Sequence, residues 1–213
     1  GRVGHACALM DDGNVKCWGT NSDGALGQDN ATNYGTNITT ADLYSVAAIG
    51  LGTTATKISA GYNDGCAILT GGTMKCWGRN NVGQLGQDDI AGAKANMGDA
   101  AGEVATIAAI NFGVAVTDIF SGLFHNCAIL TGGNLRCWGY NNAGQLGIGS
   151  AANQGDGAGE MAALANINLG AGRTVLSGCG GSGHTCAILD NGGVKCWGRN
   201  DYGQLGQGTV SDR

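Results

Sequence analysis

Apolar residues in this chain come in short runs that glycine keeps interrupting. The stretches "IGLGTTATKISAG" from Ile49, "INFGVAVTDIFSG" from Ile110 and "INLGAGRTVLSG" from Ile167 each carry a brief apolar, β-branched segment after a glycine. Runs of this length, broken by turn residues, predict strands. Each leads into a second pattern: "CALMDDGNVKCWG" from Cys7, "CAILTGGTMKCWG" from Cys66, "CAILTGGNLRCWG" from Cys127 and "CAILDNGGVKCWG" from Cys186. After each Trp comes "NSDGALG" from Asn21, "NNVGQLG" from Asn80, "NNAGQLG" from Asn141 or "NDYGQLG" from Asn200. "MAALANI" from Met161 suits one helical turn, too short to stand alone. No apolar run approaches the roughly 20 residues of a membrane helix.

The first cysteines of the four phrases stand at 7, 66, 127 and 186. A period of about 60 residues means repeated supersecondary units. The chain therefore reads as a single all-β repeat domain, 1–213, with repeat hairpins at about 1–28, 58–87, 119–148 and 177–208 joined by connector loops. Four hairpins are joined by three connectors, so one connector strand is lacking if a ring is to close within the chain.

Each cysteine pair is centred on a three-residue loop ending in glycine: Gly13, Gly72, Gly133 and Gly192. This is the form of a type I turn with a bulge, whose last residue needs the left-handed region. The register that follows sets Leu9 opposite Val15, Ala8 opposite Lys16 and Cys7 opposite Cys17. A non-hydrogen-bonded pair brings Cα atoms to about 4.5 Å, inside the disulfide window. Four hairpin disulfides are expected: Cys7–Cys17, Cys66–Cys76, Cys127–Cys137 and Cys186–Cys196. Zinc is the rival, but it favours closely spaced ligands, four to a site. Cys179 has no counterpart in the other repeats. It reads either as a small buried residue at a strand end or as the half of an intermolecular disulfide.

Disulfides place the chain in an oxidising compartment, so it is expected to be extracellular, secreted or on a cell surface. Asn30 and Asn37 head the sequons Asn-Ala-Thr and Asn-Ile-Thr, which fits glycosylation of the first connector. The net charge of −5, with 13% charged residues, argues against nucleic acid as a partner. The chain begins at Gly1 without a signal peptide and reads as a processed or excerpted product. There are 42 glycines and no proline.

The phrases "GHACALMDDGNVKCWGTNSDGALG" and "SGHTCAILDNGGVKCWGRNDYGQLG" resemble the regulator-of-chromosome-condensation repeat in an extracellular, cysteine-bearing form. The likeness covers all four units and is specific in the hairpin, the Trp-Gly-x-Asn and the Gly-Gln-Leu-Gly. It implies β-propeller blades of four strands. Members usually close rings of about six or seven blades, so four units imply an open arc or one completed by a neighbouring chain. The founding member's nucleotide-exchange activity belongs to a reducing compartment, and no catalytic residue carries over.

His5, Asp64, His125 and His184 share one position, two residues before the first hairpin cysteine. Residues spaced one per blade stand too far apart to share an ion at about 2.1 Å, so bridging of backbone groups between strands is expected. Trp18, Trp77, Trp138 and Trp197 suit a packing wedge between blades better than a sugar-binding ladder. Asn21, Asn80, Asn141 and Asn200 read as turn residues bonded to their own backbone. The loops "GDAAGE" and "GDGAGE", with Asp88 and Asp89, read as solvated, calcium being the other possibility. No other cofactor, metal site or catalytic constellation is expected. The function that fits is a non-enzymatic structural repeat protein that associates head-to-tail with itself, as a filament or sheath subunit. The alternative is a secreted module whose connector loops bind a protein or glycan.

Overall fold

The computed structural model describes residues 4–35 and 45–212. Its strands form four small antiparallel sheets in sequence order, each a blade. Blade one holds β1 (His5–Leu9) and β2 (Val15–Gly19). Blade two holds β3 (Ala55–Ala60), β4 (Asp64–Leu69), β5 (Met74–Arg79) and the short β6 (Asn96–Met97). Blade three holds β7 (Val116–Ser121), β8 (His125–Leu130) and β9 (Leu135–Gly139). Blade four holds β10 (Val175–Gly180), β11 (His184–Leu189) and β12 (Val194–Gly198). Single bridges, Gly19 to Tyr34 and Gly139 to Gln154, stand where β6 pairs in blade two.

The hairpin register pairs Cys7 with Cys17, Ala8 with Lys16 and Leu9 with Val15. Gly13, Gly72, Gly133 and Gly192 close the turns at φ between 76° and 82°. Three of these glycines also have a neighbour. The carbonyls of Gly13, Gly72 and Gly133 accept the N–H of Ala55, Val116 and Val175, each opening the next blade's inner strand. Blades thus join through their hairpin tips. The inner strands carry a register shift at one shared place, between Ala55 and Lys57, Val116 and Asp118, and Val175 and Ser177. Thr56 and Thr117 at the bulge donate to the carbonyls of Ile68 and Ile129 across it.

The inner strands β3, β7 and β10 lie side by side in succession, and the sheet is open rather than closed. Among the described residues blade one has no inner strand. Its β1 rests against β3. The core runs along the seams between blades. One cluster unites Val15, Leu26, Trp77, Leu85, Met97 and Trp138, and a second surrounds Trp197.

Candidate functional site

Each seam is built from the same parts. The indole N–H of Trp77 donates to the Ala25 carbonyl of the preceding blade at 3.0 Å. Trp138 donates likewise to Gln84, and Trp197 to Gln145. Trp77 and Trp138 are fully buried. Trp18 is half-buried, and among the described residues its indole has no acceptor.

Asn21, Asn80, Asn141 and Asn200 are all wholly buried and reach farther than a local turn. Each Oδ1 accepts the N–H of the leucine five residues on: Leu26, Leu85, Leu146 and Leu205. Each Nδ2 donates to carbonyls of the segment that follows its hairpin, as Asn141 does to Ser150 and Ala152. These side chains clamp the connector onto the blade rather than bonding only their own backbone.

The acidic connectors are folded by their carboxylates, which corrects the expectation of solvated loops. Oε2 of Glu103 accepts the N–H groups of Gly98, Asp99 and Ala100. Oε2 of Glu160 does the same for Gly155, Asp156 and Gly157. Both glutamates open short helical turns, Glu103–Thr106 and Glu160–Ala163. Asp29 and Asp88, at φ 54° and 55°, accept the N–H of Val104 and Met161. Val104 and Met161 are thereby buried over the first and second seams. These carboxylate oxygens are engaged by backbone N–H groups, and among the described residues no group of three His, Cys, Asp or Glu is placed to hold a metal.

The His/Asp position is a seam contact, made chiefly through side chains rather than backbone. Nε2 of His125 lies 2.9 Å from the Thr185 hydroxyl, which donates on to the Gln145 carbonyl. Asp64 accepts from Asn126 at 2.7 Å, and Asn126 also donates to the Gln84 carbonyl. His5 instead lies against the backbone of Tyr62 and Asp64 with Nε2 unpartnered, because its opposite number is Gly65. Burial pushes the Asp64 carboxyl up to about 7, the Asn126 donor opposing it. Burial, then the neighbouring His184, pulls His125 down to about 4. Asn126 and Thr185 escaped sequence reasoning because Ala6 and Gly65 hold their position in the other blades, so no periodic signal marks them.

All four hairpin disulfides are present, with Cα separations of 4.0–4.1 Å. Cys179 is free and exposed, not a buried strand-end residue. It stands on β10, where the register pairs it with Cys186. Asn30 is half-buried, and its amide nitrogen donates to the Gln28 carbonyl and the Tyr34 hydroxyl. Asn37 lies outside the described residues.

Blade four also carries an exposed apolar surface. Ile188 and Val194 are 43% and 64% exposed, whereas their counterparts Ile68, Ile129, Met74 and Leu135 are at most 4% exposed. Tyr202 and Val210 extend the apolar surface. Beside it a cleft of about 1030 Å³, lined by Ile167, Leu169, Val194, Trp197 and Leu205, occupies the seam between blades three and four. At the two earlier seams, Val104 and Met161 fill that place.

The sequence pattern of the regulator of chromosome condensation (RCC1) repeat matches residues 3–25, 55–84, 116–145 and 177–204, half of the chain. The chain belongs to this family of propeller repeats. It is 25% identical over 209 residues to the Ultraviolet-B receptor UVR8 of Arabidopsis thaliana, covering 98% of this chain and 42% of that one. Human WBSCR16 superposes with a TM-score of 0.75 at 21% identity, over 98% of this chain and 49% of that one. Yeast RCC1 (Prp20), solved bound to Kap60, superposes at 0.74 with 21% identity, over 98% and 45%. The chain spans less than half the length of these relatives. Likeness at this identity carries the fold, an RCC1-type propeller arc. Its four disulfides suit an oxidising environment, and among the described residues no helix is long and apolar enough to cross a membrane.

Proposed function

We propose that this chain is an extracellular, non-catalytic structural repeat protein whose blades dock head-to-tail on further copies of itself. The observation that supports the reading is an exposed apolar surface on blade four. Blade four exposes Ile188 and Val194 where blades two and three bury their counterparts. Among the described residues the Trp18 indole has no acceptor, while Gln204 stands at the position whose carbonyl receives the Trp at two inner seams. A contact of unlike faces repeats, and one that does not close makes a filament.

Sedimentation of the oxidised protein over a concentration series, with electron microscopy of the same samples, tests this. Rising mass and linear assemblies are expected, and Val194→Glu should abolish both while leaving the circular dichroism unchanged. A wild-type monomer at high concentration would sink the proposal.

A second reading, a secreted module for a protein partner, draws support from the yeast relative's complex with Kap60. On that reading, substitutions in the connector loops abolish capture of one partner and leave self-association untouched. Glycan at Asn30 and Asn37 belongs to either reading and is tested by mass shift on amidase treatment of protein from a glycosylating host.

A further inference from the structure

Three cysteines form one row across blade four. Cys179 on β10 is the register partner of Cys186 on β11, and Cys186 is the partner of Cys196 on β12. The same row reads Ser59, Cys66, Cys76 in blade two and Phe120, Cys127, Cys137 in blade three. In those blades the first position lacks a thiol and all four cysteines are 0% exposed beneath the next blade. In blade four Cys179 is exposed and free, and Cys186 and Cys196 are half-buried. Cys196 also lines the cleft beside Trp197.

Directly opposed residues of an antiparallel sheet project to the same face. Cys186 and Cys196, with Cα atoms 4.1 Å apart, form a non-hydrogen-bonded pair. The backbone groups of Cys186 therefore turn toward β10, and Cys179–Cys186 is a pair of the hydrogen-bonded kind, at about 5.5 Å. That is the commonest Cα separation of a disulfide. The order of the row also matters. Cys186 is in the middle, so an attacking sulfur at 179 and a leaving sulfur at 196 stand on opposite sides of it.

We infer that this row is a thiol–disulfide exchange site. The Cys179 thiolate attacks Sγ of Cys186, the Cys179–Cys186 bond forms as the Cys186–Cys196 bond breaks, and Cys196 leaves as the thiolate. The proton released from Cys179 returns to Cys196. One disulfide and one thiol exist before and after, so no oxidant or reductant is consumed. The exchange carries the free thiol across two strands, from the inner strand to the blade edge and the cleft.

The test is a disulfide map of the oxidised 213-residue chain. The protein is held at rising pH, quenched with acid, alkylated with N-ethylmaleimide, digested and read by mass spectrometry. Label is expected on both Cys179 and Cys196, with Cys179–Cys186 cross-linked peptides appearing faster at higher pH because the thiolate is the nucleophile. Label confined to Cys179 at every pH overturns the inference. In Cys179→Ser, Cys196 must stay unlabelled; label there would mean simple reduction and count against exchange. In Cys196→Ser, air oxidation should join Cys179 to Cys186, while two persistent thiols in a chain whose other three disulfides map intact would refute the proposed path. None of these outcomes depends on assembly of copies.

Discussion

At the scale of single residues, two groups of opposite pH response sit in adjacent seams. Asp64 holds its proton in the fold up to about 7, far above the ordinary carboxyl value of 3.8. Stability from this group is complete in acid and lost as pH climbs from about 4 to about 7. His125 is pulled down to about 4 from 6.5, so its contribution is complete near neutrality and lost as pH falls through that interval. The slopes oppose and largely cancel in the wild type. Asp64→Asn removes one of them, and Asn is able to accept the same bond from Asn126. The unfolding free energy from urea titration should rise at pH 7.5 by up to about 4 kcal/mol, and the variant should become visibly acid-labile between pH 6.5 and 4.5; an unchanged urea midpoint at pH 7.5 refutes the buried-acid account. Turn glycines supply a second contrast. A Cβ at Gly133 would meet Thr174 Cβ at 2.5 Å, whereas one at Gly192 would meet nothing within 4 Å. Gly192→Asn should cost under about 1 kcal/mol, because Asn tolerates the left-handed region. Gly133→Asn should cost about 1–3 kcal/mol through overpacking, measured by thermal unfolding of the two side by side.

At the scale of elements, the seam bonds differ in redundancy. The Gln84 carbonyl receives both Trp138 and Asn126, but among the described residues the Ala25 carbonyl receives Trp77 alone. Trp77→Phe strands a buried acceptor and Trp138→Phe does not. The first should be the more destabilising by roughly 1–2 kcal/mol. Disulfides divide by the same logic of cover. Each closes a short loop and contributes about 2–3 kcal/mol. Cys66–Cys76 and Cys127–Cys137 are fully buried under neighbouring blades, while Cys7 and both cysteines of blade four are half-buried. Graded reduction followed by peptide mapping should open the outer two bonds before the inner two. The helical turns rest on their glutamates: Glu160→Gln removes the charge that three N–H groups share. It should cost about 1–2 kcal/mol and loosen the Met161 cover, seen as faster hydrogen exchange at Gly155 to Gly157.

At the scale of the whole molecule, the seams share one tryptophan contact and differ in the other side chains that cross them. The blades are too small to bury their own surfaces, so each relies on the next for the cover of its tryptophan, its hairpin tip and its disulfide. Blade four is the natural experiment. Ile188, Val194 and Cys179 are exposed and Cys186 and Cys196 half-buried, although its strands and register match those of blades two and three. Any partner that covers this face, a second copy above all, buries apolar area and also closes the thiol row to solvent. Assembly should therefore slow alkylation of Cys179, measured as labelling rate against protein concentration.

Hairpin register, turn glycines and cysteine pairing were legible in the residues, because they depend on contacts within about a dozen positions and recur in every repeat. The repeat period carried the all-β class and the open count of strands. The rest was decided by contacts between blades some 60 residues apart. Carboxylates that fold loops, asparagines that clamp connectors and the Asp64–Asn126 and His125–Thr185 links depend on which side chain a neighbouring blade presents. That choice changes from seam to seam, and burial at each position is set by whether a next blade lies above it.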